Sequence, residues 1–191
     1  MTAKDKPGNP KKTDVHIALL RGINLSGHNR LPMTSLLALF EEAGCRHVQT
    51  YIQSGNVIFE AQADIARRVP SVIMKAISRQ FGLEVPVVTR SAAELNTIVG
   101  ANPFLRPGAD ERLLHVAFLA DQPQPNRAAG LDPDRSPPDE YVVRGREIYL
   151  RCPNGIARTK LTNAYFDSRL ATICTMRNWK TTLKLLELTV S

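Results

Sequence analysis

The sequence predicts an α+β chain built as two tandem ferredoxin-like α/β plaits, a split β-α-β unit occurring twice. Three observations carry that expectation. Short branched apolar runs alternate with longer stretches at helical spacing, in the order β-α-β-β-α-β. The same order returns in the second half. Between the two, ANPFLRPGADER at 101–112 gathers Pro, Gly and charge, as a joint does. The expected division is a basic tail at 1–13, a first plait at 14–102 and a second at 112–191. A single larger mixed sheet is the alternative.

Each element has its own warrant. VHIALLR (15–21) alternates and is rich in branched residues, so it reads as a strand. PMTSLLALFEEAG (32–44) reads as a helix, with Pro32 suited to its start and Gly44 to its stop. VQTYI (48–52) and NVIFE (56–60) are strands, and the polar Gln53-Ser54-Gly55 link between them is a hairpin signal. Ile73, Ile77 and Phe81 mark the next helix, whose main part Pro70 starts or kinks. VPVVTR (85–90) is the fourth strand, and Ser91-Ala-Ala-Glu94 is a capping box opening a short helix.

In the second half LLHVAFLA (113–120) is a strand. The Pro-rich stretch 121–138 stands where the first helix belongs and has room for a turn or two of it. EYVVRG (140–145) and REIYLRC (146–152) form a hairpin about Arg144-Gly145. GIARTKLTNAYFDSRL (155–170) is an amphipathic helix, ATICTM (171–176) a strand, and NWKTTLKLLEL (178–188) a closing helix.

Composition narrows the function. Apolar residues make up 43% of 191, enough for a packed core. No apolar run reaches the length of a membrane span, and the first fourteen residues lack a secretory h-region. Three cysteines, with no CxxC pair, and four scattered histidines give neither a disulfide framework nor a zinc site. The expectation is a cytoplasmic protein with buried free thiols, no metal, no cofactor and no membrane partner. Net charge is +7, with +3 in residues 1–13, +6 in 144–191 and −2 between them. A basic last quarter favours phosphates or nucleic acid as partners, or is simply a solvated face. Walker, GxGxxG, GxSxG and HExxH motifs are missing, and so is the RNP1 string of RNA-recognition plaits.

The polar residues gather at strand ends. In a plait the loop after the first strand lies beside the turn between the second and third. That sets Arg21, Asn24 and Asn29 next to Gln53, Ser54 and Asn56. A second group, Arg158, Lys160, Asn163, Arg177, Asn178 and Trp179, follows the last two strands. Guanidinium forks, an ammonium and helix starts suit a phosphate. Every residue also has a plainer reading. Arg21 can pair with an acid, the asparagines can take left-handed turns, Asn178 can cap a helix, and Trp179 can fill the core. His28 is the loop residue able to move a proton, and an unpartnered loop histidine is ordinarily solvated.

LLRGINLSGHNRLPM, TYIQSGNVIFE, PNGIARTKLTNA and TMRNWKTTLKL, in that order, resemble the bacterial domain-of-unknown-function family 1697. The resemblance covers nearly all of the chain after residue 14. It implies paired α/β plaits and no activity. Lys180 stands where asparagine is usual in the family, and the 121–138 stretch is poorer in helix than the family's second half. The leading expectation is a binding protein for a phosphate-bearing small molecule or nucleic acid. An enzyme acting on a small anionic metabolite and a purely structural or interaction module are its rivals.

Overall fold

The computed structural model describes residues 13–24 and 29–190. The basic tail up to residue 12, and His28, lie outside the described residues. β1 (Thr13–Leu20) leads through the first polar loop to α1 (Met33–Glu42). The hairpin β2 (Arg46–Tyr51) and β3 (Asn56–Gln62) follows, then α2 (Ala63–Phe81), β4 (Val87–Ser91) and α3 (Ala92–Gly100). The second half begins with β5 (Leu114–Leu119) and the short α4 (Pro125–Ala129). It continues with the hairpin β6 (Glu140–Arg144) and β7 (Glu147–Arg151), α5 (Asn163–Leu170), β8 (Cys174–Asn178) and α6 (Trp179–Thr189). The result is a mixed α/β fold with six helices among the described residues and two four-stranded antiparallel sheets, ordered β2-β3-β1-β4 and β6-β7-β5-β8. A single mixed sheet does not form.

Period-two alternation sorts the strand side chains into three cores. Ala18, Leu20, Val57 and Phe59 face α1 and α2, meeting Leu36, Phe40, Val69 and Ile73. Ala117, Leu119, Ile148 and Leu150 face α5, meeting Phe166 and Leu170. The opposite faces of both sheets share the central core. There Ile17, Leu19 and Ile58 from one sheet and Val116, Phe118 and Tyr149 from the other pack with Leu95, Ile98, Trp179 and Leu185 of α3 and α6. Burial on both faces explains why LHVAFL is apolar almost throughout. It also removes the sheet surface on which RNA-binding plaits stack bases.

Two segments differ from the sequence reading, each for a local reason. The helix expected across 155–170 is divided. Gly155 sits at φ 82°, Ile156–Arg158 makes one 3-10 turn, and Thr159 is extended. Ser136 Oγ accepts the Lys160 N–H at 2.9 Å, and Thr162 then caps α5 through the Tyr165 N–H. Ala171, left-handed at φ 53°, stops α5 and delays the last strand to Cys174. α2 starts at Ala63 and carries Pro70 inside it.

The halves are joined by an exchange of arginines. Arg90 lies opposite Ile17 in the first sheet, and Arg177 lies opposite Val116 in the second. Arg90 reaches into the second half. Its Nε donates to Glu147 Oε1 at 2.8 Å, and its Nη2 donates to the carbonyls of Leu119 and Arg146 at 2.8 and 3.0 Å. Arg177 reaches back. Its Nε donates to Asn56 Oδ1 at 2.6 Å, and its Nη2 to the carbonyls of Leu20 and Gly55 at 2.8 and 3.3 Å. The acceptors match by register: Leu20 N–H bonds Gly55 O as Leu119 N–H bonds Arg146 O, and Leu19 faces Asn56 as Phe118 faces Glu147.

Candidate ligand-binding cleft at the joint

The first polar loop is held largely by its own side chains. Asn24, left-handed at φ 53°, accepts the Leu31 N–H at 2.9 Å and donates to the carbonyls of Leu31 and Gln53. Asn29, at φ 49°, donates to Gly22 O at 2.8 Å. The strand-end loop and the hairpin turn therefore meet as topology requires. Gly55 permits the closeness. A Cβ there would lie 2.7 Å from Leu20 Cβ, and its φ of 76° already favours glycine.

The structure brings Arg21, Ser54, Asn56, Asn163 and Arg177 to the joint and occupies them there. Arg21 takes its alternative role, pairing with Asp167 at 2.7 Å and donating to Cys174 O. Ser54 Oγ accepts from Asn56 Nδ2, and Asn163 Oδ1 accepts from Cys174 Sγ. Every nitrogen of the Arg177 guanidinium has an acceptor, with Thr175 Oγ1 and Met176 O completing the set. Arg177 is ringed by neutral groups, and burial pushes its pKa down to about 10. Asn178 caps α6, accepting the Thr181 N–H at 2.7 Å. Trp179 is buried in the central core, its indole N–H unpartnered among the described residues.

Arg158 and Lys160 make no side-chain hydrogen bond to this group among the described residues. Both are exposed on the 3-10 turn and the extended segment after it, and their side chains have no partner among the described residues. Gln53 is exposed at the hairpin tip, where it lines a shallow hollow of about 430 Å³ with Asn24, Arg30 and the start of α1.

A larger cleft, of about 680 Å³, opens at the seam between the halves. Tyr51, at the end of β2, forms one wall. Asn178, Lys180, Leu183 and Lys184 of the α6 start form the other, and Glu111 and Arg112 of the joint close one end. Most of the charges here are spoken for. Lys184 Nζ meets Glu187 Oε1 at 2.5 Å, and Arg112 holds Asp110 in a fork that draws the Asp110 pKa down to about 2. Lys180 is exposed and has no partner among the described residues. The cleft thus offers an aromatic ring, an aliphatic wall and the ammonium of Lys180, with the Glu111 carboxylate at its end.

The place matched to it by strand register in the second half is closed. Arg144 faces Glu147 as Tyr51 faces Asn56, and Tyr149 faces Val116 as Ile58 faces Ile17. Arg144 donates to Ala101 O at 2.7 Å just past the end of α3, Tyr149 OH donates to Ile98 O at 3.0 Å, and Arg146 pairs with Glu94. Three polar side chains thus fasten the second hairpin to α3. Tyr51, Gly55 and Ile58 hold the corresponding positions in the first hairpin. Among the described residues none is tied to α6 by a side-chain hydrogen bond, and the space between stays open.

Sequence reasoning found Asn178 and the Lys180 departure but missed Tyr51, Arg112 and Lys184. It also missed Arg90 and Glu147. Among the described residues no group of His, Cys, Asp or Glu is arranged to hold a metal ion. None of their helices is long and apolar enough to cross a membrane.

Comparisons with known proteins bear on the fold. The model of a protein family of unknown function, DUF1697, matches residues 14–149. The PNGIARTK and RNWK motifs lie beyond that span. A conserved bacterial protein, SP0830 from Streptococcus pneumoniae, has a similar structure at 19% sequence identity and a TM-score of 0.69. The similarity covers 93% of this chain and 99% of that one. No curated protein matches this chain.

Proposed function

We propose that this chain, which belongs to the DUF1697 family of unknown function, is a cytoplasmic binding protein for a small phosphate-bearing ligand. The ligand would lie in the seam cleft, its planar body against Tyr51 and Leu183 and its phosphate on Lys180. We read the scaffold as a duplicated ferredoxin-like plait, supported by the shared strand order and the matched arginine sites. On that reading the same place occurs twice. The observation that carries the proposal is that one copy is fastened shut by Arg144, Arg146 and Tyr149 while the other is left open beside a lysine that is unpaired among the described residues. The volume falls within the range of small-molecule sites.

The roles of the charges shift accordingly: Arg21 and Arg177 hold the joint, and phosphate recognition passes to Lys180. The test is calorimetric titration of adenosine 5′-monophosphate into the wild type, Lys180→Ala and Arg158→Ala/Lys160→Ala. The expected result is a loss of about tenfold or more in affinity for Lys180→Ala, the scale of one charge-assisted contact. The double variant should bind as the wild type does. Unchanged binding by Lys180→Ala would discard the cleft. A loss confined to the double variant, with a steep fall in affinity as salt rises, would favour nucleic acid on the exposed 158–160 surface instead.

A further inference from the structure

We propose that Asn56 is the positioning residue of this cleft, the side chain that fixes its Tyr51 wall relative to its α6 wall; the claim rests on the binding reading above. Asn56 and Glu147 stand at matched places, each accepting from the Nε of the arginine sent by the other half. Their remaining chemistry differs. A carboxylate can only accept, whereas an amide also has two hydrogens to give. Asn56 uses them: Nδ2 donates to Tyr51 O at 3.2 Å and to Ser54 Oγ at 3.0 Å. One fully buried side chain therefore links the backbone of Tyr51 to Arg177, whose next residues in sequence are Asn178, Trp179 and Lys180.

This arrangement is not the more stable choice for the arginine. A carboxylate at position 56 would neutralise Arg177 as Glu147 neutralises Arg90. The amide leaves a desolvated guanidinium among neutral acceptors, with its pKa lowered as a result. What the amide supplies in return is the donor to Tyr51, on the open side of the joint. Among the described residues no corresponding donor stands on the closed side, where Arg144 fastens the hairpin directly.

The discriminating substitution is Asn56→Asp. It keeps an acceptor for Arg177, supplies the missing negative charge and removes both donors. Urea unfolding should place its midpoint at or above that of Asn56→Ala, which loses acceptor and donors together. Amide hydrogen exchange in Asn56→Asp should accelerate at residues 51–55 and stay unchanged at 174–178. Titration of adenosine 5′-monophosphate should show affinity at least tenfold below wild type. A folded Asn56→Asp protein with wild-type exchange at 51–55 overturns the inference, and so does wild-type affinity. Failure of the wild type itself to bind this probe would count against the binding reading, while the exchange pattern still decides whether Asn56 holds the Tyr51 wall.

Discussion

Arg90 and Arg177 perform the same task from opposite halves with different chemistry. Each spans the joint, and each accepts the loss of water by finding carbonyls at a strand end. Arg90 is 1% exposed and has a carboxylate; burial lowers its pKa and Glu147 opposes the shift. Arg177 is half-buried and has an amide. The carboxylate side is dense with further ties, Arg146 to Glu94 and Arg144 to Ala101. The amide side adjoins the cleft. The lesson is that two sheets of matching strand order can divide their duties, one side of the joint clamped by charge and the other held by neutral hydrogen bonds that leave room beside it.

Breaking each clamp tests that contrast. Arg90→Met should be the most damaging, because it strands Glu147, whose side chain is 14% exposed, along with two carbonyls. The expected loss is about 3–5 kcal/mol in urea unfolding. Adding Glu147→Leu should recover part of it. Arg177→Met strands neutral acceptors only, so a smaller loss of about 2–3 kcal/mol is expected. Equal losses in the two variants would erase the distinction between the sides.

The helix caps next to these arginines give a finer comparison. Ser91 opens α3 with a complete capping box, and Asn178 opens α6 with a single bond to the Thr181 N–H. Ser91→Ala and Asn178→Ala should each cost about 1 kcal/mol by thermal unfolding. Only Asn178→Ala, which touches the cleft, should also weaken ligand.

The smallest effect is in acid. Burial acts to raise the pKa of Glu94, but the Ser91 backbone N–H, Arg146 and Arg90 outweigh it and hold the carboxyl below its ordinary value. A depressed carboxyl contributes stability that is present above its unfolded value and is lost as pH falls through the folded one. Thr181 holds the matching place on α6 and does not titrate. Urea midpoints measured from pH 6 down to pH 3 should therefore fall less steeply in Glu94→Gln than in the wild type. The effect is modest because Glu94 is 45% exposed.

Much of this was legible in the chain. Branched runs, helical spacing and the Ser91–Glu94 box gave element order and the strand-end meeting of the RGIN and QSGN segments. The plainer readings of Asn24, Asn29, Asn178 and Trp179 were also available, since left-handed turns, caps and core positions have local signatures. The exchange across the joint was not, because it depends on two distant strand ends being carried into contact. Its one sequence trace is a parallel between VVTRSAAEL and CTMRNWKTTL: strand, arginine, capping residue, helix. Tyr51 was hidden for a similar reason. Nothing near it in sequence distinguishes a strand-end tyrosine over packed helix from one over open space; Arg144, matched to it only by register, makes the difference visible.

The most direct test is to follow backbone amide resonances of the full chain while adenosine 5′-monophosphate is added. The account predicts saturable shifts centred on Tyr51, Asn178, Lys180 and Leu183, with residues around Arg144 and Ala101 undisturbed. Shifts confined to Arg158–Lys160 or to the start of α1, or distributed equally over both sides of the joint, would contradict it.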